Sequence, residues 1–310
     1  MNETETPKVI LGMDIGGTFI RMGLIDESFN LTGFSFLKTA NPDGSGATID
    51  GIIEYIKKYC AENLNGKLPT AVSMGFPSTI DKERKVVLST PNIPGIQNVP
   101  VVEIIEQVLG IPAFINRDVN FLFLYDIQRI QVEEKGVLLG FYIGTGFGNT
   151  ISIDGKLLLG KNGVAAELGH IPVLGSQLIC NCGNLGCIEN YASGKYLAEM
   201  AAEHFPQTPI EQLFVSHAGH ARLDEFIDYL SIPIATEITL LDPECIILGG
   251  GIIHMDGFPR DKLEERLHVR VRKPYPANNM NIQYSHQTQE NGVVGAGIYG
   301  FRRLAMPEYR

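Results

Sequence analysis

No run of eighteen apolar residues occurs anywhere in the chain, so the sequence offers no membrane-spanning helix. Met1 to Lys8 is short and acidic and leads into no apolar h-region, which argues against a secretory leader. Basic side chains are in short supply: 25 Lys and Arg stand against 35 Asp and Glu, a formal net charge of −10, and no basic run appears. A nucleic-acid surface needs concentrated Lys and Arg, so that class of partner is disfavoured. An anionic ligand would have to be held locally, by backbone N–H groups, a helix N-terminus or a metal. Cysteine is scarce and odd in number, with five residues in all, which argues against a fully paired secreted framework. These absences predict a cytoplasmic protein with neither a nucleic-acid nor a membrane partner. The 44% apolar and 19% charged residues are an ordinary globular balance, and 310 residues exceed one ordinary core, so two lobes are expected. No low-complexity linker separates them.

The cysteine that is present is concentrated. Cys180, Cys182 and Cys187 fall within eight residues, in Cys180-Asn181-Cys182-Gly183-Asn184-Leu185-Gly186-Cys187, and His170 stands ten positions upstream. One imidazole and three thiolates make a closed tetrahedral Zn²⁺ site with no open position for water, hence a structural metal that shapes a loop. A redox pair or three unrelated small hydrophobes are the competing readings, and the spaced histidine and intervening glycines favour zinc. Glu167 and Glu189 flank the ligands. Cys60 and Cys245 lie in apolar periodic segments and read as buried small hydrophobes.

Val9 to Asp14 and Phe19 to Ile25 read as strands joined by a glycine turn at Ile15-Gly16-Gly17-Thr18. The unit recurs as Val137 to Ile143, the turn Gly144-Thr145-Gly146-Phe147-Gly148, and Asn149 to Ile153. Two copies in a two-lobe chain suggest an internal duplication in which each lobe offers a glycine hairpin to a shared ligand. Glycine permits positive φ and close backbone approach, so Gly16, Gly17 and Thr18, and likewise Gly144, Thr145 and Gly146, are candidates for cradling phosphate oxygens. Elsewhere strand and helix alternate. Helical faces run through Ile49 to Cys60, Val101 to Leu109, Leu223 to Leu241 with a bend at Pro233, Asp261 to Arg272 and Gly292 to Arg303. Short apolar strands fall at Ala71 to Phe76, Ala113 to Asn116, Cys245 to Leu248 and Ile282 to Tyr284. Asp14 ends a buried strand, where its carboxylate suits Mg²⁺ or its own turn equally well. Asp118 follows a strand and precedes a helix, a place for an N-cap or for a proton-accepting carboxylate. Gly249, Gly250 and Gly251 follow a strand where backbone could approach a flat ring. The turns Gly75-Phe76-Pro77 and Thr90-Pro91-Asn92 could line a ligand site or simply reverse the chain. His204, His217, His220, His254, His268 and His286 show no chemical context.

Glu167-Leu168-Gly169-His170 followed by Cys180 to Glu189 resembles the signature of the ROK family of sugar kinases and sugar-responsive repressors. The likeness extends from Met13-Asp14-Ile15-Gly16-Gly17-Thr18 to Ile247-Leu248-Gly249-Gly250-Gly251, and so over nearly the whole chain. It implies an α/β fold of the duplicated two-lobe actin and hexokinase type, ribonuclease H-like, with an interlobe cleft whose closure excludes water. The small lobe would span 1–118 with a closing helix in 292–310, and the large lobe 119–291. It further implies ATP and Mg²⁺ as cofactors beside structural Zn²⁺. Asp14 and the two glycine loops would hold metal and phosphates, Gly249 to Gly251 after Asp242-Pro243 the adenosine, and Asp118 would be the general base. The sugar would be bound by Pro77, Thr90, Asn92, Arg117, Asp118, Glu167, His170 and Glu189, with His170 on zinc through one nitrogen and on sugar through the other. Two departures stand out: Asn149 and Thr150 break the family's glycine-rich second loop, and Arg117 replaces its usual Asn. Arg117-Asp118-Val119-Asn120, behind Thr90-Pro91-Asn92-Ile93-Pro94, is most similar to the allose kinase branch, with phosphorylation at C6. Glucokinase and N-acylhexosamine kinase are the alternatives. The family also suggests a homodimer. A repressor would carry a helix-turn-helix domain ahead of the sugar domain, whereas the first hairpin here begins by Val9, so that reading is disfavoured.

Overall fold

The structure is a computed structural model, and it describes residues 8–39, 47–90, 93 and 95–306. The chain divides into two compact units: unit 1 comprises Met1–Gln131, Leu159–Ala165 and Thr288–Arg310, and unit 2 comprises Val132–Leu158 and Ala166–Gln287.

Unit 1 is built on a five-stranded sheet of β1 (Val9–Ile15), β2 (Phe19–Asp26), β3 (Leu31–Lys38), β4 (Ala71–Phe76) and β7 (Ala113–Arg117), in the order β3-β2-β1-β4-β7. Two further strands, β5 (Thr79–Ile80) and β6 (Val87–Ser89), form a small ribbon of their own. β1 and β2 pair antiparallel up to Ile15 opposite Ile20, while β4 joins β1 in parallel and β7 joins β4 in parallel. Every residue of β4 and β7 is buried, as strands covered on both faces must be, and this is why they read as largely apolar runs, interrupted at Ser73 in β4 and ending in Asn116 and Arg117 in β7. Leu11, Met13, Val72 and Ile115 share one core with Ile52, Ile53 and Ile56 of α1 (Ile49–Asn63) and with Val101 and Ile105 of α2 (Val101–Leu109). α3 (Asp118–Ile130) also belongs to this unit.

Unit 2 repeats the plan. β8 (Val137–Ile143), β9 (Phe147–Ile153), β10 (Lys156–Leu157), β11 (Cys245–Gly249) and β12 (Ile282–Tyr284) are ordered β10-β9-β8-β11-β12. The first two strands again form an antiparallel hairpin, and the last two again run parallel. Within each sheet the strands therefore stand third, second, first, fourth, fifth, which is the internal duplication expected from the two hairpins. The helices are α4 (Gly194–His204), α5 (Leu213–Ser216), α6 (Ala221–Leu241) and α7 (Arg260–Arg270). Phe226, Ile227, Leu230, Ile234 and Ile238 of α6 form a core with Leu139, Phe141 and Ile143 of β8 and with Leu263 and Leu267 of α7. α6 runs through Pro233 as a single element.

The last helix, α8 (Asn291–Ala305), belongs to unit 1, and all its residues from Asn291 to Gly300 are buried. Such enclosure requires close backbone contact: a Cβ at Gly295 would lie 1.9 Å from the Phe121 carbonyl oxygen of α3. The sequence places the lobe boundary near Asp118, but the unit continues to Gln131, because α3 packs against α8 and β4. The segment Leu159–Ala165 also falls in unit 1, and nothing in its composition marks it. Among the described residues no helix is long and apolar enough to cross a membrane.

Candidate active site

Asp14 and Asp118 come together in unit 1. Asp14 sits one residue before the end of β1, and Asp118 is the first residue of α3, directly after β7. The Asp14 carboxyl is pushed up to about 6, chiefly by burial and next by the neighbouring Asp118, against the pull of Arg21, whose Nη1 lies 3.5 Å from Asp14 Oδ2. Burial likewise raises Asp118, opposed by the Val119 N–H that donates to its Oδ1 at 2.7 Å and by Arg117. Two carboxyls with raised affinity for protons, side by side, are a common mark of functional sites. The helix N-cap position falls to Arg117, so Asp118 does not serve there.

The turn carrying Asp118 is braced by a residue that the sequence did not single out. Asn116 Oδ1 accepts from the Arg117 N–H at 2.9 Å and from Asn120 Nδ2 at 2.8 Å, while its own Nδ2 is buried without a protein partner. The only sequence signal was a polar residue ending an apolar strand. Arg117 is buried and donates from Nη1 to the Ala165 carbonyl at 3.2 Å, tying the excursion Leu159–Ala165 to β7. Pro77 is half-buried after β4. Thr90 Oγ1 lies 2.8 and 2.7 Å from the carbonyls of Ile93 and Ile96 and closes its own loop. Asn92 lies outside the described residues.

The first glycine turn is closed by Gly16 N–H to Phe19 O at 2.9 Å, and Gly17 and Thr18 are exposed at its tip. The second is Gly144-Thr145-Gly146, shorter than the sequence suggested because Phe147 and Gly148 already belong to β9. Neither turn uses the positive φ expected of its glycines. The second needs glycine for space: a Cβ at Gly146 would lie 2.6 Å from Glu189 Oε2, the oxygen that accepts the Phe147 N–H at 2.8 Å. Glu189 thus braces the second turn. The N–H groups of Gly194 and Lys195, at the start of α4, donate to the carbonyls of Gly144 and Thr145 at 2.8 and 3.0 Å. Gly249 to Gly251 approach the same turn from β11. Gly250 has φ of 90°, and a Cβ there would lie 2.4 Å from the Ile143 N and O atoms, so only glycine fits. The substitution of Asn149 for a loop glycine has a physical reason too. Its Nδ2 donates to Glu237 Oε2 of α6 at 2.8 Å inside the unit 2 core.

His170, Cys180, Cys182 and Cys187 place one ligand atom each within 4.8 Å of one another. Cys180 Sγ is 3.6 Å from His170 Nδ1, and Cys182 Sγ is 3.6 Å from Cys187 Sγ. Zinc bonds of about 2.3 Å to sulfur and about 2.0 Å to nitrogen set tetrahedral ligand atoms roughly 3.5 to 3.8 Å apart, so this donor set fits Zn²⁺. His170 presents Nδ1 to the thiols, and its Nε2 lies 3.7 Å from Glu167 Oε2. That pairing gives the imidazole a carboxylate on its outer nitrogen, the usual support of a metal-bound histidine. Cys60 and Cys245 are buried as expected.

Residues 10–300 match the ROK family, and the chain belongs to it. The N-acetyl-D-glucosamine kinase of Aliivibrio salmonicida (strain LFI1238) is 32% identical over 273 residues, 83% of this chain and 88% of that protein. The crystal structure of the ROK hexokinase from Thermus thermophilus matches with a TM-score of 0.80 at 26% identity, covering 96% of this chain and 99% of that one. A ROK family glucokinase from Streptomyces griseus, solved with glucose and AMPPNP, matches with a TM-score of 0.75 at 27% identity, covering 93% and 98%. The two-sheet α/β fold of the hexokinase type, expected from the sequence, is the fold of this chain.

Proposed function

We propose that the chain is an ATP-dependent sugar kinase that transfers the γ-phosphoryl group to the 6-hydroxyl of an aldohexose. The observation that carries this reading is Asp118: a half-buried carboxyl at a strand end, raised by burial and set beside a second carboxyl, in a chain of the ROK family. A hydroxyl attacking phosphorus must lose its proton, and a carboxylate whose pKa is raised toward working pH is a better-matched base than a solvated one. Asp118 takes that proton at Oδ2, because Oδ1 is occupied by the Val119 N–H. Asp14 would hold the Mg²⁺ that accompanies ATP, directly or through water, and the metal would supply charge neutralisation at the phosphates. The glycine turns receive phosphate oxygens, and Gly249 to Gly251 the adenosine. Glu167 and Glu189 accept hydrogen bonds from sugar hydroxyls, Glu189 through the oxygen not engaged by Phe147.

D-allose is the acceptor indicated by Arg117, where the family's usual residue is neutral. The similarity to an N-acetyl-D-glucosamine kinase supports an N-acylhexosamine as the second reading. A coupled assay of ADP release over allose, glucose, mannose and N-acetylglucosamine decides between them, and no ATP consumption with any sugar would end the kinase proposal. The thiol cluster is proposed to hold structural zinc. Cys182→Ser should then release the metal and weaken sugar affinity together, about 10- to 100-fold, because the loop that bears the ligands carries Glu167 and Glu189. Metal analysis finding no zinc in the purified protein would refute the site.

A further inference from the structure

His254, which the sequence leaves without a role, lies in unit 2 beside the glycine segment that follows β11. Its backbone N–H donates to the Gly250 carbonyl at 3.3 Å. On its ring, Nε2 lies 2.8 Å from Ser285 Oγ and Nδ1 lies 3.3 Å from Arg260 Nη2. Ser285 is buried directly after β12, where its N–H donates to the Leu248 carbonyl at 2.9 Å. That places its hydroxyl against Gly249, so close that a Cβ on Gly249 would lie 2.3 Å from Ser285 Oγ. Arg260, at the start of α7, is held in place by stacking 4.3 Å above the Tyr284 ring, whose hydroxyl donates to Glu264 at 2.8 Å.

The chemistry of these partners fixes the direction of every bond. A guanidinium can only donate, so His254 Nδ1 must accept from Arg260 and the ring proton must reside on Nε2. Nε2–H then donates to Ser285 Oγ, and the serine's own proton is the one donor left over, beside Gly249. A second ring proton would reverse this arrangement. Nδ1–H would face the Arg260 guanidinium, donor against donor and cation against cation. The charged and titratable groups acting on the ring are Arg260 from α7 and His286 from the segment after β12. Burial first, then these two neighbours, hold the imidazole below its ordinary range, so the relay is intact at neutral pH.

We infer that His254 is a positioning residue for the nucleotide: through Ser285 it sets the Gly249–Gly251 backbone, and nucleotide affinity falls when the ring takes a second proton. The inference rests on the proposal that this segment receives adenosine. The test is calorimetric titration of the whole chain with Mg²⁺ and AMPPNP from pH 5.5 to 8, with thermal unfolding of each variant as the check on folding. Asp14, raised to about 6 and assigned to Mg²⁺, is common to every variant, so the readout is the wild-type affinity relative to His254→Gln, which should fall several-fold as pH drops below about 6.5, the unperturbed histidine value. His254→Ala should weaken AMPPNP about 10-fold at pH 7.5, leave the KM for sugar unchanged and show a shallower acidic decline than the wild type. His254→Gln, which can donate to Ser285 from nearly the same place but cannot titrate, should recover most of the affinity and keep only the shallower decline that Asp14 gives. Ser285→Ala should behave as His254→Ala. Equal AMPPNP affinity in the wild type and His254→Ala, or an acidic decline as steep in a folded His254→Gln as in the wild type, overturns the inference. Absence of AMPPNP binding by the wild type at every pH overturns it together with the kinase reading.

Discussion

At the end of β1 the chain turns through Gly16-Gly17-Thr18, and Thr39 ties the turn from behind. Its Oγ1 donates to the Gly16 carbonyl at 2.6 Å, and its N–H donates to the Thr18 carbonyl at 3.0 Å. At the end of β8 the chain turns through Gly144-Thr145-Gly146, and the first N–H groups of α4 engage the carbonyls in the same way. One residue secures the first turn and a helix start secures the second, yet the outcome is shared: two carbonyls of each turn are engaged from outside it. The surroundings differ more. The first turn adjoins an acid pair and Arg21, whereas the second is enclosed by Glu189, Gly250 and α4. Equivalent backbones thus have unequal surroundings: unit 1 places the raised carboxyls of Asp14 and Asp118 near its turn, and unit 2 encloses its turn in a frame whose precision depends on side chains behind it.

Four substitutions can break or sharpen that contrast. The largest effect should come from Asp118→Asn, which keeps size and removes the proton acceptor. The expected loss is about 10²- to 10⁴-fold in kcat with sugar KM little changed, read in the coupled assay, and an unaltered kcat would strip unit 1 of its assigned chemistry. Next is Glu237→Gln, behind the second turn. Burial pushes the Glu237 carboxyl from 4.5 up to about 7, against the Asn149 hydrogen bond. The folded state therefore holds a proton that the unfolded state has released, so this contribution to stability is full below pH 4.5 and is lost as pH rises through about 7. Glu237→Gln should be more stable than the wild type by about 2 to 4 kcal/mol at pH 8 and by almost nothing at pH 4.5, as denaturant melts would report.

Arg117→Asn restores the family's usual residue. On the proposed sugar-binding role of Arg117, misplacing its charged donor should change discrimination between epimers by roughly 1 to 3 kcal/mol. An allose-to-glucose ratio of kcat/KM unaffected by the substitution would remove the residue-level argument for allose. The smallest structural effect is expected at Gly144, where an added Cβ meets no atom within 4 Å. Gly144→Ala should leave stability within about 0.5 kcal/mol while raising the KM for ATP, since on the proposed role of this turn the methyl would crowd the phosphates. A variant equally good for ATP would argue that the second turn only reverses the chain.

Much of this was legible in the residues. Both hairpins, the parallel strands and the long helices follow from apolar runs and their periods, and the His170 and cysteine set from spacing alone. β3 was not read, because an edge strand with Gly33 inside it and Phe36 more than half exposed carries little apolar alternation. α4 was missed as well, since only Leu197, Met200 and Ala201 are buried along it. The bracing of Glu189 on Phe147, the Asn116 fork and the Asn149–Glu237 pair are long-range or geometric facts that spacing does not encode.

In chain order the segments of unit 2 lie between the first and last segments of unit 1, and this has a bearing on biosynthesis. Translation delivers β1 to α3 first and α8 last, so the ribosome releases a first sheet that lacks the helix completing its core. Unit 2 becomes whole once β12 has emerged, whereas unit 1 waits for Asn291–Ala305 with apolar surface of β1, β2 and β4 uncovered. The nascent chain therefore exposes apolar surface longest on the side synthesised first, and a chain terminated ahead of α8 would lack the helix that covers β1, β2 and β4.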